Sequence, residues 1–446
     1  RTTGQFHQQK NAKRVHKVQL VLAIIFAGIA GMLLPFSHDY RHTMLLLGFV
    51  VFAIPLALPW SLGLLISIIA KFTPKGLIGY QVAETKELVA PMSLAMMAML
   101  LAVTANISMN TLVGSFESTL KQWLNARLHA DLYIRPAQSQ MMKVEQFLEL
   151  QAQVTSVYKQ FYLKSQHGTL PIFLVTKDVQ TLKQTTLFKS TTTDIWPQFF
   201  DNKMVIVSEP MAVRLGLTLG DRITLEAIPD RSFPIGGIFY DYGNPYGEVL
   251  ISPDIWRQQH FPAIPLSLGI GYQGKPNHMR KLLQQKFGIS DALIYDQSQI
   301  KQRAITIFTK TFAITKVLNS LTLLVAAIGL FSACFMLTEA RAAPIARLYS
   351  LGVSRKQISF MVMTQMLSIV FLTCIVALPA GVILGYLLIN HITLQAFGWS
   401  IAMLWDWGTY ADVVVLALGA SLLAVILPLY QQTKRPLISS LQREVI

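Results

Sequence analysis

"TLVGSFESTLKQWLNARLHADLYI", residues 111–134, opens as the end of a membrane-grade apolar run and closes on the strand-like "DLYI". Between these ends Leu112, Phe116, Leu120, Trp123, Leu124 and Leu128 recur at helical spacing, so the helix continues after the apolar run has stopped. At 1.5 Å per residue, a helix from about 90 to 130 is roughly 60 Å long, twice the hydrocarbon thickness of a bilayer. Such a helix projects into water as a stalk. A matching stripe, Ile300, Ala304, Ile307, Phe308 and Phe312, precedes the next apolar run in "QIKQRAITIFTKTF". The pattern predicts a second, returning stalk whose Ile300, Ile307 and Phe308 pack against Leu112, Phe116, Leu120 and Trp123 of the first.

Between the stalks the grain changes. "MVIVSEPMAVRLGLTLGDRITLEAI" and "FPIGGIFYDYGNPYGEVLISPDIW" are β-rich runs broken by Gly-Asp and Asn-Pro turns, and "IFLVTKD" and "DLYIRP" are further strand candidates. A mixed α/β or small-barrel domain is expected there. Glu209 and Asp221 in this region are read as solvated surface or turn residues rather than an acid and base pair.

The 446 residues are 52% hydrophobic and only 14% charged, with a mean hydropathy of +0.45. That is too apolar for an ordinary soluble protein, and the middle is too polar for an all-membrane one. Six apolar runs are long enough to span a bilayer: about 18–36, 43–70, 90–112, 312–338, 359–390 and 411–430. Pro55 and Pro59 are expected to bend or break the second. The fold class is therefore an α-helical membrane protein with about six transmembrane helices and an extracytoplasmic α/β domain on two stalk helices.

Basic residues set the orientation, because short loops rich in them stay cytoplasmic. Arg1, Lys10, Lys13, Arg14 and Lys17, then Lys71, Lys75 and Lys86, then Arg341, Arg347, Arg355 and Lys356, then Lys434, Arg435 and Arg443 all fall on one side. Only Arg41 lies in the short loops on the other. The expected order is a basic cytoplasmic head (1–17), a transmembrane hairpin (18–70), a cytoplasmic loop (71–89), a first core span (90–112) and the outer stalk and α/β domain (113–311). Three core spans (312–430) with a cytoplasmic connecting helix (341–357) and a cytoplasmic tail (431–446) follow. The formal charge of +15 is mostly this topological signal, and nucleic-acid binding is not expected.

The connecting stretch "EARAAPIARLYSLGVSRKQI", residues 339–358, interrupts two apolar runs. Pro344 suits a first helical turn, Ile345, Leu348 and Tyr349 share a face, and Arg347 points away. Gly352 is a left-handed stop, and Ser354 with Gln357 predicts a capping box that starts the next helix. Two readings fit these residues: an interfacial loop held by its basic residues, and a rigid lever docking into a cytoplasmic partner.

Several chemistries are excluded. The sequence has no G-x-x-x-x-G-K-[ST] phosphate loop, no H-E-x-x-H zinc motif among its nine histidines, and no G-x-S-x-G elbow. No catalytic, cofactor-binding or metal-binding residue is expected. The span interiors are almost uncharged, with Lys316 and Asp412 near their outer ends, unlike ion-coupled transporters. Asn106, Ser108 and Asn110 are assigned to helix–helix hydrogen bonding, and Trp399, Trp405, Trp407 and Tyr410 to an interfacial aromatic belt. Cys334 and Cys374 lie in separate spans and read as small buried residues.

The segment from "FTKTFAITKVLNSLTLL" to "SLGVSRKQI" resembles the C-terminal core of FtsX-like permeases of ABC systems, the family that includes MacB-type and lipoprotein-releasing permeases. The resemblance extends to "VTANISMNTLVGSFESTLKQWLNARLHADLYI", "SEPMAVRLGLTLGDRITL", "GIFYDYGNPYGEVLIS" and "QAFGWSI". It implies four core spans, a MacB-like periplasmic domain between the first two, and a cytoplasmic ATP-binding subunit at the loop between the second and third. On that basis Arg341, Pro344, Ile345, Arg347, Leu348, Tyr349, Gly352, Ser354 and Arg355 are the expected ATPase-coupling residues. ATP and Mg would belong to the partner chain. The resemblance further implies a bacterial inner-membrane protein with both termini cytoplasmic, acting on a lipid, lipoprotein or other hydrophobic cargo, with membrane lipid and a periplasmic protein as further partners. The hairpin at 18–70 looks like the extra pair of spans in long two-repeat permeases, so the chain is expected to correspond to the second half of one and to pair with a second permease half. The competing class is a membrane-anchored scaffold that recruits a periplasmic partner without an ATP cycle.

Overall fold

Each of the six apolar runs is a helix, because a chain in hydrocarbon must satisfy its own backbone groups. Numbered in chain order, they are α1 (Thr2–Leu33), α2 (Tyr40–Phe72), α3 (Leu77–Arg127), α10 (Gln297–Ala340), α11 (Arg355–Leu387) and α13 (Trp407–Thr433). All six contain a stretch long and apolar enough to cross a membrane, and the protein is a multi-pass membrane protein. The computed structural model describes residues 2–37, 39–74, 76–242, 244, 246–340 and 354–433, and within them the side chains of 14–37, 39–74, 76, 79, 81–242, 244, 246–337, 354 and 356–426. The chain divides into a membrane unit (Arg1–Ser115, Phe312–Ile392, Met403–Ile446) and a sheet unit (Phe116–Thr311, Thr393–Ala402).

In the membrane unit α1 pairs with α2, and α11 packs on both α2 and α13. Leu62 and Ile66 of α2, Met96 and Val103 of α3, Leu330 of α10, Ile369 and Ala377 of α11 and Ala417 of α13 form one buried core. Helix α2 is not broken at Pro55 or Pro59; it is continuous from Tyr40 to Phe72 with both prolines buried. Two missing donors are tolerated where intact turns on either side hold the helix and no water competes for the freed carbonyls. Helix α3 begins at Leu77 rather than near 90, and its 51 residues make it about 76 Å long.

Two devices close this unit. Gly381 and Gly385, a G-x-x-x-G pair on α11, face α3; a Cβ on Gly381 would lie 2.7 Å from the Ile107 Cβ, so only glycine permits this backbone approach. The second device is neutral hydrogen bonding. Asn106 Nδ2 of α3 donates to the Asn319 carbonyl (3.1 Å) and Thr322 Oγ1 (3.3 Å) of α10, as the sequence assigned it. Thr111 Oγ1 donates to the Tyr410 hydroxyl (3.1 Å) on α13. Tyr410 is consequently buried and is no belt residue, whereas Trp405 and Trp407 are exposed. Cys334 and Cys374 are buried and unpaired.

The sheet unit is a mixed ten-stranded sheet, not a barrel, in the order β10-β1-β9-β2-β3-β8-β5-β7-β4 with β6 on β7. The strands are β1 (Leu132–Ile134), β2 (Val154–His167), β3 (Leu170–Lys177), β4 (Phe188–Thr191), β5 (Val205–Ser208), β6 (Arg222–Leu225), β7 (Ile228–Phe239), β8 (Gly247–Leu250), β9 (Ser267–Tyr272) and β10 (Ile294–Asp296). Helices α4 (Gln138–Glu149), α5 (Val179–Thr185), α6 (Ile195–Phe200), α7 (Glu209–Leu215), α8 (Pro253–Gln258), α9 (Pro276–Phe287) and the short α12 (Leu394–Phe397) complete it. Strands β3–β8 and β5–β7 pair parallel, the rest antiparallel. β3, β5 and β8 are covered on both faces: Leu174 and Val249 enter one core, Val175 and Leu250 another. Strands buried on both faces read as continuous apolar runs, which is why "IFLVTKD" and "MVIVS" are legible.

Candidate functional site

Of the residues expected to couple to an ATPase, Arg341, Pro344, Ile345, Arg347, Leu348, Tyr349 and Gly352 lie outside the described residues. Ser354 is described and is the N-cap of α11. Its hydroxyl accepts from the Gln357 N–H (3.3 Å), and the Gln357 side chain accepts from the Ser354 N–H (3.0 Å), which completes the expected capping box. Arg355 is the first residue of that helix.

The stalk residues fall in several environments. Phe116 of α3 and Phe308 of α10 stack with ring centroids 5.1 Å apart and planes 7° from parallel. Leu112 and Leu120 are half-buried, and Ile307 is 67% exposed. Trp123 meets the sheet rather than the other stalk: it packs edge-on against Tyr242 (5.8 Å), and its indole N–H donates to the Tyr240 carbonyl (3.3 Å). Ile300 lines a cleft with the end of α3 and with β1.

The sequence left unmarked a buried ionic cluster where α3 ends on the sheet. Arg127 Nη2 donates to both carboxylate oxygens of Glu248 (3.1 and 3.3 Å), and only 2% of the Glu248 side chain is exposed. Lys177, at the end of β3, is fully enclosed and donates to Thr185 Oγ1 (3.2 Å). Burial, then the nearby Arg127 charge, pushes the Lys177 ammonium down to about 7. Asp241 follows β7 and is also buried; desolvation and the Glu248 charge push it up to about 6. Burial likewise raises the Tyr162 hydroxyl to about 12. The cluster thus combines a fixed ion pair with a lysine and an aspartate whose charged forms are both disfavoured by burial. The signal was present as single charged residues, Lys177 and Glu248, inside otherwise apolar strands.

A second polar anchor involves Glu209, which is fully buried and not the solvated residue expected from sequence. It accepts from Lys189 Nζ (2.6 Å), the Ser400 N–H (3.0 Å) and the Ser400 hydroxyl (2.6 Å). The Tyr242 hydroxyl donates to the Ser400 carbonyl (2.9 Å). The segment 393–402, between the last two spans, is therefore part of the sheet unit. Trp399 belongs to its aromatic cluster with Phe397 (5.6 Å), Tyr242 (5.5 Å) and Phe116 (6.3 Å), not to an interfacial belt. Asp221, by contrast, is the expected exposed turn residue, accepting from the Thr218 N–H (2.6 Å). Among the described residues no group of three or more His, Cys, Asp or Glu side chains converges as a metal site.

Comparison with known proteins agrees with the sequence resemblance. Residues 316–437 match the FtsX-like permease C-terminal family, and the chain contains this domain. An uncharacterised ABC transporter permease protein of Mycobacterium tuberculosis is 24% identical over 371 residues, which are 79% of this chain and 43% of that protein. The chain thus spans less than half the length of this curated relative. Among solved structures, the extracellular domain of the noncanonic ABC-type transporter YknZ from Gram-positive bacteria aligns at 12% identity and a TM-score of 0.27, covering 37% of this chain and 98% of that one. The periplasmic region of MacB from Actinobacillus actinomycetemcomitans aligns at 13% identity and a TM-score of 0.28, covering 39% and 91%.

Proposed function

We propose that this chain, whose residues 316–437 are an FtsX-like permease C-terminal domain, is the transmembrane permease subunit of an ABC transporter. In this reading it converts ATP hydrolysis by a separate cytoplasmic ATPase into movement of its sheet unit. The observation that carries the reading is covalent: the chain passes between its two units four times, after residues 115, 311, 392 and 402. Two of these passages lie within single helices, α3 and α10. The other two bracket the segment that Glu209 and Tyr242 hold to the sheet. Four tethers restrain a domain far more tightly than one flexible linker, so displacement of membrane helices is felt in the sheet unit.

The sequence has no nucleotide-binding loop, so ATP and Mg2+ are assigned to the partner, which docks at 341–355. The cargo is a lipid, lipoprotein or other hydrophobic molecule, the site is a bacterial inner membrane with both termini cytoplasmic, and a second permease half completes the assembly. Copurification of the chain, in full-length context, with an ATP-binding subunit tests the reading. Gly352→Val is expected to abolish ATPase stimulation while membrane insertion stays intact. Glu209→Ala should preserve ATPase activity but uncouple hydrogen exchange in β7 and β8 from ATP addition. A chain that never associates with an ATP-binding subunit overturns the proposal and leaves the scaffold reading.

A further inference from the structure

One end of the sheet has two unlike faces. Leu132 and Ile134 of β1, Leu268 and Ile270 of β9 and Ile294 of β10 turn into a core closed by α4 and α9. Side chains alternate along a strand, so the intervening residues share the other face. There Tyr133 stands opposite Tyr295 of β10 and Gly269 of β9, and Ser267 stands opposite Gln160 of β2. Gly269 keeps the floor of this face low: a Cβ there would come within 3.0 Å of the Ala130 Cβ and 3.4 Å of the Tyr133 ring. The result is a cleft of about 340 Å³, within the size range of small-molecule sites.

The walls of the cleft are rich in donors. Arg127, Arg135, Gln160, Ser267, Tyr133 and Tyr295 line it, with Leu128 and Ile300 on its apolar side, and among the described residues no carboxylate lines it. Arg127 turns Nη2 toward Glu248, while Arg135 is exposed. The Tyr133 hydroxyl accepts from the Ala130 N–H (3.1 Å), which leaves its own O–H free to donate. Guanidinium groups suit oxyanions because their planar N–H pairs match two oxygens at once. A carboxylate has two oxygens to satisfy. With Arg127 held by Glu248, the Arg135 guanidinium, an amide and three hydroxyls remain, and together they match the three or four oxygens of a phosphate better.

We propose that this cleft binds the phosphate group of a small phosphate ester, either a soluble one or the headgroup of a membrane lipid. The site is independent of the transport reading, since its occupancy is measured without ATP or a partner. The test is calorimetric titration of the full chain in phospholipid-free detergent with glycerol 3-phosphate, with glycerophosphoglycerol and with glycerol as the uncharged control. Saturable binding of either phosphate, none of glycerol, and a loss of at least about tenfold in affinity in Arg135→Gln support the site. Arg135 is exposed, so this variant is expected to fold; a second variant, Tyr295→Phe, should weaken binding less. Preference for the monoester assigns a soluble ligand, and preference for the diester assigns a lipid headgroup. Absence of binding by both phosphates at millimolar concentration, or equal affinity in Arg135→Gln, overturns the proposal.

Discussion

The two units hold themselves together by different means. Among the described residues, every buried polar side chain of the membrane unit is neutral, such as Asn106, Thr111, Thr373 and Ser421, and its helices close by backbone approach at Gly381. Among its described residues the sheet unit buries four charged side chains, Lys177, Glu209, Asp241 and Glu248. Burying an ion is expensive unless a partner is fixed in place, so a buried pair holds two elements in one register. Here the pairs are Arg127–Glu248, where α3 ends on β8, and Lys189–Glu209, which joins β4 to α7 beside the segment that Ser400 fastens there. In hydrocarbon the same device costs more, and neutral hydrogen bonds with small residues replace it.

This contrast can be broken most forcefully at Glu248. Glu248→Ala leaves Arg127 without its carboxylate in a largely buried position, and a loss of about 3–5 kcal/mol in sheet-unit stability is expected. Denaturant-dependent hydrogen exchange of β3 and β8 measures it; a loss below about 1 kcal/mol, as for an exposed pair, would show that the pair is not a register lock. Next in size is Gly381→Leu, which forces α11 from α3 and should destabilise the membrane unit by about 1–3 kcal/mol. Thermal unfolding in detergent, with sheet-unit exchange unchanged, is the expected signature.

Lys177 gives a smaller effect that depends on pH. Its folded value of about 7 lies below its ordinary 10.5, so between these values the unfolded chain holds a proton that the folded chain has released. Stability contributed by this site therefore rises with pH across that window and is lowest below about 7. Lys177→Met removes the rise, so the variant should gain on the wild type at pH 6 relative to pH 9 in paired melting curves. An equal gap at both pH values contradicts a titrating lysine. The smallest effect is expected from Asn106→Val, about 0.6 kcal/mol, the usual worth of a hydrogen bond between membrane helices. A loss of several kcal/mol there would mean that the membrane unit, too, depends on a single polar lock.

Much of this organisation was legible. Six apolar helices, a strand-bearing region between the third and fourth of them, and the capping box at Ser354 follow from hydropathy, from a periodic stripe, and from residues three apart in sequence. Strands β2 and β9 were not legible: "VTSVYKQFYLKSQH" places Val154, Val157, Tyr158, Phe161 and Tyr162 at helical rather than alternating spacing, and "SLGIGY" carries two glycines that read as loop. The coupling stretch at 341–353 lies outside the described residues, so its reading stands on sequence alone.

What the sequence by itself determined is what local chemistry controls: which runs are long and apolar enough to cross a membrane, where a helix continues beyond its apolar run, and where a helix starts. Only the tertiary structure decided which distant residues meet. Glu209 and Ser400 are 191 positions apart, Arg127 and Glu248 121, and Tyr133 and Tyr295 become neighbours through strand pairing alone. A single charged residue in an apolar strand has the same local signature whether it faces water or a partner. Its role is set by the group opposite, and strand register and helix packing place that group.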